Sequence, residues 1–441
     1  MDTETTPFGQ QPLSSYGTCI YGYEGTGLLS LENDEEVECK FNAGQLKNGD
    51  VLLLCHSPEP CLPDCPNGFK GETVEGFEVT ASGSIARGNY LPVSPGDSHG
   101  MYQAYHLDRM RVELKTAPAP RNVSFGLTNF VFSRSESCTV NGISVGCLSL
   151  HLKQPQSEFD LFIRAVPEYQ NVKARLQTVK DVDVTCEAVV EIPQVGDWKQ
   201  LEQVADDLCY VLSIARGTKV NWVYREQRDQ AGQLLSRTHC SRIPKPYCPW
   251  PVIDPRRPDE TKAFVEGAYG VYVEKREGYR LDRGVIDAYL DAKAEGDYVQ
   301  IRGAKLAVAM EMLKTVFLKH PRSPVKAYIM DQQRLDEALV EGIQEAIREK
   351  LQKAGVKRDL AEAMCSNGKI AGLNRRSFRH ILEKFRKDIK LEICDTAFLR
   401  FVECRNKLVH EGQFYCKAAT PEERKNLKPL SSCRAEYCFL V

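Results

Sequence analysis

Six prolines fall between Pro244 and Pro258 (Pro244, Pro246, Pro249, Pro251, Pro255 and Pro258). Each proline removes an amide donor and fixes φ, so no regular strand or helix is expected to run through the segment. It reads as a stiff connector, and Trp250 inside it implies that the connector docks on a surface. The connector separates two halves with different hydrophobic periods. A chain of 441 residues has room for two or three cores, so each half is long enough to bury its own.

Residues 1–190 read as β-rich. Val51–Leu54 is a buried-strand run, while Phe77–Thr80, Met110–Leu114 and Asp181–Thr185 alternate in the strand manner. Asn141-Gly142 sits between alternating segments and predicts a hairpin. A sandwich or jelly-roll-like domain follows from this pattern. Asp197–Ala215 has helical spacing, with Leu201, Val204, Leu208, Val211 and Leu212 on one side and Gly217 as its stop. Residues 191–243 therefore read as a small α+β extension of the β domain, and 244–262 as the connector. Residues 263–441 form the helical domain, with helices expected at 282–294, 297–319, 328–353, 358–365, 374–390 and 395–411. Short connections predict antiparallel neighbours in a bundle. The class is α+β, in two main domains. The apolar end, Glu436–Val441, reads as a helix cut short or a short strand.

The last strong helix carries the most pointed chemistry. It ends Arg405-Asn406-Lys407-Leu408-Val409-His410, behind an apolar stripe of Phe398, Phe401 and Val402. A guanidinium clamps phosphate bidentately, and an imidazole moves protons near neutral pH. Asn406 and His410, four apart, share a helix face. Arg405 stands about 140° from His410 at ~100° per residue, so it reaches the same cleft only by its length or from the helix edge. Gly412 suits a helix stop, which leaves His410 in the last turn. Spacing alone distinguishes little, because Arg375 and His380 repeat it. The plain structural reading is a helix-terminal histidine beside a solvated arginine.

Residues 281–441 resemble a HEPN domain, an all-helical fold whose active members end a helix with Arg, a polar residue and His; here these are Arg405, Asn406 and His410. Ala304–Leu313 (A-K-L-A-V-A-M-E-M-L) resembles the second helix of that fold, and the whole chain is similar to the ApeA-type anti-phage HEPN proteins of bacteria. The resemblance implies a metal-independent endoribonuclease acting as a dimer in abortive-infection defence, with those three residues catalytic. It implies RNA (transfer RNA among the candidate classes) as substrate, a phage-derived trigger, and no cofactor.

Charge is placed unevenly. Residues 281–441 hold 30 Lys+Arg and 23 Asp+Glu, a balance of +7; subtraction from the totals of 58 and 60 leaves 28 and 37, or −9, for residues 1–280. A basic helical half suits a polyanion. Arg375, Arg376, Arg379 and Lys407 are the candidate RNA-binding residues, within a basic segment that includes Lys384, Arg386 and Lys387; a solvated helix face explains the segment equally well. Phe378, Phe385 and Tyr415 are candidate base-stacking partners, with core packing favoured for the two phenylalanines. Cys55, Cys61 and Cys65 could hold zinc, but their spacing is not a paired C-x-x-C set, and free thiols in a Pro-rich loop are the simpler reading; the spacing does not decide between metal and free thiols. His239, Cys240 and Cys248 form a weaker set. No phosphate-loop signature and no G-x-S-x-G elbow occur, which argues against an NTPase or a serine hydrolase. No leader-like start and no apolar run of membrane length are visible, so a cytoplasmic protein with mostly free, buried thiols and no membrane contact is expected. The function expected is RNA cleavage by 2′-hydroxyl attack in a homodimer or higher homo-oligomer, with the β domain as sensor. A non-catalytic RNA- or nucleotide-binding scaffold is the alternative. A third reading makes the β domain a sugar- or peptide-binding module on helices that only dimerise.

Overall fold

A computed structural model of the chain describes residues 13, 16–31, 35–47, 49–56, 62, 66–82, 86–87, 102–140, 142–154, 157–179, 182–191, 198–242, 247–248, 251–279, 284–293, 299–320, 323–329, 340–365, 374–392 and 394–411. It divides into two compact units, 1–274 and 275–441. The first is a large antiparallel β-sheet with helices packed on it; the second is helical. The α+β class expected from the two hydrophobic periods is what the chain adopts.

Among the described residues of the first unit are fifteen strands: β1 (Cys19–Ser30), β2 (Glu36–Leu46), β3 (Val51–His56), β4 (Gly68–Thr73), β5 (Phe77–Ser82), β6 (Ala86–Arg87), β7 (Tyr102–Leu107), β8 (Arg109–Leu114), β9 (Asn122–Thr128), β10 (Glu136–Val140), β11 (Ile143–Gln154), β12 (Ser157–Ala165), β13 (Val184–Glu191), β14 (Trp222–Arg228) and β15 (Leu234–Cys240). They form one continuous sheet in the order β10-β11-β12-β13-β9-β14-β15-β8-β5-β4-β1-β2-β3-β7-β6. The β-rich expectation holds in this coarse form, but the two separate sheets of a sandwich do not appear. Val140 pairs with Ile143 across Gly142 (φ +79°), so the Asn-Gly hairpin forms where the sequence places it.

The sheet folds over on itself. β8, β5 and β4 separate β15 from β1 in the ladder, yet Tyr21 of β1 packs against Val184, Val223 and Tyr224 of β13 and β14. The strands β1–β5, β7 and β8 thereby enclose one core, centred on Phe41, Leu53, Phe69, Val79, Tyr105 and Val112. Close approach demands glycine at two places on this surface. A Cβ on Gly25 would lie 1.9 Å from the Glu72 carbonyl oxygen, and one on Gly126 would lie 2.2 Å from the Tyr224 ring.

Side-chain polar groups complete the closure. Gln45 Nε2 donates to the carbonyl oxygens of Val223 (2.9 Å) and Cys240 (3.2 Å), which leaves its Oε1 to accept from His239 Nδ1 at 2.8 Å. His239 Nε2 must then accept from the Tyr23 hydroxyl (2.9 Å), whose oxygen accepts from Arg237 Nη1 (2.9 Å). Arg237 stacks 3.8 Å from the centre of the Tyr21 ring and donates to Glu226, which Arg228 also meets. Burial tends to raise the Glu226 carboxyl, but the two guanidinium groups more than offset it and hold it below its usual range.

Two helices stand within the region read as β-rich or as its extension. Helix α1 (Tyr169–Val179) was not foreseen; it buries Tyr169, Val172 and Leu176, three residues at helical spacing. The Tyr169 hydroxyl accepts from the Phe132 amide and donates to the Phe132 carbonyl, both at 2.6 Å. Helix α2 (Trp198–Arg216) matches the expected one, and Gly217 follows it at φ +62°. The second large core lies between these helices and β9–β13, with Phe125, Phe130, Leu150, Ile163, Leu208 and Trp222 at its centre.

From residue 251 on, the proline-rich segment docks through its backbone and through one buried cation; Pro244, Pro246, Pro249 and Trp250 lie outside the described residues. Val252 and Ile253 donate their amides to Ala215, and Ser133 donates to the Pro255 carbonyl. Arg216, only 1% exposed, donates to the Ile253 carbonyl and to Thr261 Oγ1, each at 3.0 Å. Burial pulls its guanidinium down to about 10. Pro258 opens helix α3 (Pro258–Tyr279), where a missing amide costs nothing. Val265, Tyr269 and Val273 of α3 enter the same core. The last of the six prolines thus starts a regular element.

In the second unit, α4 (Gly284–Ala292), α5 (Val299–Lys319), α6 (Val340–Lys353), α7 (Arg358–Met364), α8 (Phe378–Asp388) and α9 (Asp395–Glu411) correspond to the six expected helices. Two starts differ. Helices were expected from 328 and from 374, but Tyr328 and Arg375 form an antiparallel bridge, and Ser377 Oγ accepts from the His380 amide (3.2 Å) to begin α8 at Phe378. The two small cores of this unit join α5, α8 and α9: Met310, Leu382, Phe398 and Val402 form one, and Phe317, Val325 and Ile381 the other. Among the described residues, no helix is long and apolar enough to cross a membrane.

Burial, then Arg237, depresses the His239 imidazole well below its ordinary value. The folded chain keeps it neutral, whereas the unfolded chain takes up its proton near pH 6.5. Stability contributed by this group is therefore present above pH ~6.5 and falls on acidification by up to about 1.4 kcal/mol per pH unit. Urea unfolding of the full chain between pH 7.5 and 5.5 should show this slope, and His239→Gln should flatten it. A slope untouched by the substitution would exclude His239 as the titrating group.

Candidate functional site

Helix α9 presents Phe398, Val402 and Arg405 on one side, at i, i+4 and i+7. The two apolar side chains are buried in the α5–α8–α9 core. Arg405 therefore leaves the helix from its core side, with only 13% of its side chain exposed. The sequence placed it at the helix edge; the packing puts it deeper.

Three groups hold the guanidinium. Its centre lies 4.4 Å over the Phe378 ring of α8. Nη2 donates to the Glu311 carboxylate of α5, and Nη1 donates to Asn406 Oδ1 at 2.9 Å. Nε is buried without a partner. Glu311 also pairs with Lys314, whose ammonium lies 5.5 Å from the same Phe378 ring. Two cations share one carboxylate over one aromatic face, so the cluster keeps a net positive charge. A phosphate that competes with Glu311 could be held by such a site.

Asn406 is exposed, and His410 follows one turn later on the same backbone face. The backbone of His410 is helical as expected; its side chain, like Gly412 and Tyr415, lies outside the described residues. The structure thus joins Arg405 and Asn406 directly.

The other candidates are dispersed along α8 and α9. Arg375 lies in the bridge ahead of α8 and is exposed. His380 Nε2 lies 3.3 Å from Nη1 of Arg376, the residue after the Arg375 that the spacing had paired with it, in a local contact at the start of α8. Arg379 is paired with Glu383, and Lys407 with Glu403. Phe385 stacks edge-to-face on Phe317 at 5.0 Å, in the core; Phe378 carries Arg405.

Glu311 and Lys314 were missed by motif reading. The available signal was a lone carboxylate inside the apolar stretch Ala304–Leu313, with a lysine three residues on. A charge in such a run needs a partner from another helix.

The cysteine sets are described only in part. Cys55 is fully buried, and its thiol is pushed well up by burial and by the adjacent Cys39. His56 points to the opposite face of β3. Cys61 and Cys65 lie outside the described residues. His239 and Cys240 belong to the buried closure of the sheet. Among the described residues no disulfide forms, and no cluster of three His, Cys, Asp or Glu side chains is placed to hold a metal.

The chain matches no known family model, and no characterised protein or solved structure shows significant similarity to it.

Truncating Glu311 strands a mostly buried guanidinium. Glu311→Ala is expected to cost about 2 kcal/mol of stability, whereas Glu311→Ala in an Arg405→Ala background costs much less. Urea unfolding of the four chains in this cycle should give a coupling of at least ~1 kcal/mol. Additive losses would mean that the ion pair contributes nothing.

Proposed function

We propose that this protein is a metal-independent endoribonuclease of the HEPN type, with Arg405, Asn406 and His410 as its catalytic residues. The observation that carries the reading is the mounting of Arg405: a guanidinium oriented by Glu311 and Phe378, hydrogen-bonded to an exposed Asn406, one turn before a histidine. Preorganised cations aimed at a phosphate are the usual means of stabilising the dianionic transition state of phosphoryl transfer.

In this reading the ribose 2′-hydroxyl attacks the adjacent phosphorus, and the P–O5′ bond breaks. The products are a 2′,3′-cyclic phosphate and a 5′-hydroxyl. Arg405 stabilises the added negative charge, His410 transfers a proton at one of the two oxygens, and Asn406 positions Arg405 and the phosphate. One imidazole cannot act as acid and base in the same step, so a second copy of α9 would supply the partner group in a twofold dimer. DNA lacks the nucleophile and would be spared. The β unit would act as the sensor that restrains the nuclease, in keeping with bacterial anti-phage defence by abortive infection.

One observation favours a second reading. Arg405 is already paired with Glu311, and an arginine so paired can serve to join helices. The helical unit would then bind RNA or a nucleotide as a scaffold, without cutting.

Labelled RNA incubated with the full chain in EDTA separates the two. Cleavage that leaves cyclic phosphate ends, reduced at least 100-fold in both His410→Ala and Arg405→Lys, is the expected result. Activity that persists in His410→Ala, or that chelation abolishes, would sink the proposal.

A further inference from the structure

Helices α8 and α9 form a hairpin, and Phe378 and Arg405 meet at its open end. At the bend lies an open concavity of about 660 Å³ lined by Arg386, Lys387, Lys390, Leu391, Glu392 and Cys394. Three of the six lining side chains are cationic and one is acidic. Arg386 is held in place by Asp395 at 2.7 Å and lies 5.1 Å over the Phe398 ring. Lys387 and Lys390 are exposed, and no carboxylate among the described residues pairs with either.

Lys390 is also conformationally unusual. It has φ +53°, the left-handed region that L side chains avoid. The end of α8 requires that conformation: the Leu391 amide donates to the Arg386 carbonyl (2.9 Å) and the Lys390 amide to the Lys387 carbonyl (3.2 Å). This double closure ordinarily selects glycine at the position Lys390 occupies. A lysine there sacrifices backbone ease and sets an ammonium at the rim of the concavity, where the C-terminal end of the α8 dipole also favours it. Backbone strain held at a charged hollow points to a ligand. Ile389, 48% exposed, and Leu391 add apolar surface beside the cations.

We infer that this concavity binds the phosphate backbone of single-stranded RNA and acts as an exosite for the reaction proposed above. The assignment of RNA as ligand rests on that reading; the anion-binding chemistry does not. Ten residues of α9 separate Asp395 from Arg405, about 15 Å at 1.5 Å per residue. A strand gripped at the bend and running along the hairpin therefore reaches the Arg405 cluster within a few nucleotides. The cations track the backbone, while the apolar residues offer a surface for an unstacked base or ribose.

The test measures binding and cleavage separately. Fluorescence anisotropy with a labelled RNA of about a dozen nucleotides, in EDTA, uses the full chain carrying His410→Ala so that no turnover intrudes. Lys390→Gly is the decisive variant, since glycine suits the left-handed position. Its melting temperature should equal or exceed the parent's while RNA affinity falls about fivefold. Lys387→Ala with Lys390→Gly should weaken binding by tenfold or more and lower the slope of log affinity against log salt by about 1.4, ~0.7 per lost contact. Unchanged affinity and slope in both variants would overturn the exosite. In parallel, RNA cleavage is assayed with His410 intact. Cleavage together with Lys390-independent binding leaves the nuclease reading standing and removes the exosite. Lys390-dependent binding without cleavage keeps the concavity as an RNA-binding site and removes both the nuclease reading and the exosite role.

Discussion

A guanidinium taken out of water has to be met by a carboxylate or by carbonyl oxygens, and in both units that requirement decides which elements lie side by side. Arg237 of β15 is met by Glu226 and by the Tyr23 hydroxyl, which brings β1 across β14 and β15 and closes the sheet. Arg216 is met by Ile253 and Thr261, which fastens the proline-rich segment and the start of α3 onto the end of α2. Arg405 is met by Glu311, which joins α9 to α5 beneath α8. Apolar packing supplies most of the stabilisation around each, but it is non-directional. The buried cations choose the register, because any other arrangement leaves a charge unpaired.

The Arg405 cluster differs from the one at Glu226 in where its carboxylate lies. Glu226, met by Arg237 and Arg228, is 1% exposed, although Arg228 itself reaches solvent. Around Glu311 the same two-to-one ratio of cations to carboxylate sits at the edge of the helical core, with Glu311 31% exposed and Asn406 exposed beside it. A carboxylate that is sealed cannot yield its cations to another anion. One that solvent reaches can. Carboxylate pairing then works in two directions: it orients the guanidinium in advance, and it sets a threshold that an incoming phosphate must exceed.

Much of this was legible along the chain. The Asn141-Gly142 hairpin, helix α2 with its glycine stop and the six helices from Gly284 onward were carried by short-range signals: a positive-φ turn, a 3.6-residue period and a glycine stop. Helix α1 escaped because Tyr169, Val172 and Leu176 are only three apolar positions in a polar segment flanked by strands. Pro258 was read as part of a breaker, although at the first turn of a helix a proline is harmless. The starts expected at 328 and 374 failed because Tyr328 and Arg375 pair with each other, a contact that spans 47 positions (375 minus 328) and has no local trace.

The sequence by itself determined the two hydrophobic periods, the break between them, and the residue types along α9 that suit phosphate chemistry. These are local properties, decided by φ restriction, side-chain period and functional groups. Only the tertiary structure decided that the fifteen strands make one folded-over sheet, that Glu311 and Phe378 hold Arg405, and that Lys390 stands in a left-handed turn at a basic hollow. The reason is physical: partners for a buried charge are chosen by proximity in space. Glu311 and Arg405 are 94 residues apart, and nothing short of the folded helices brings them together.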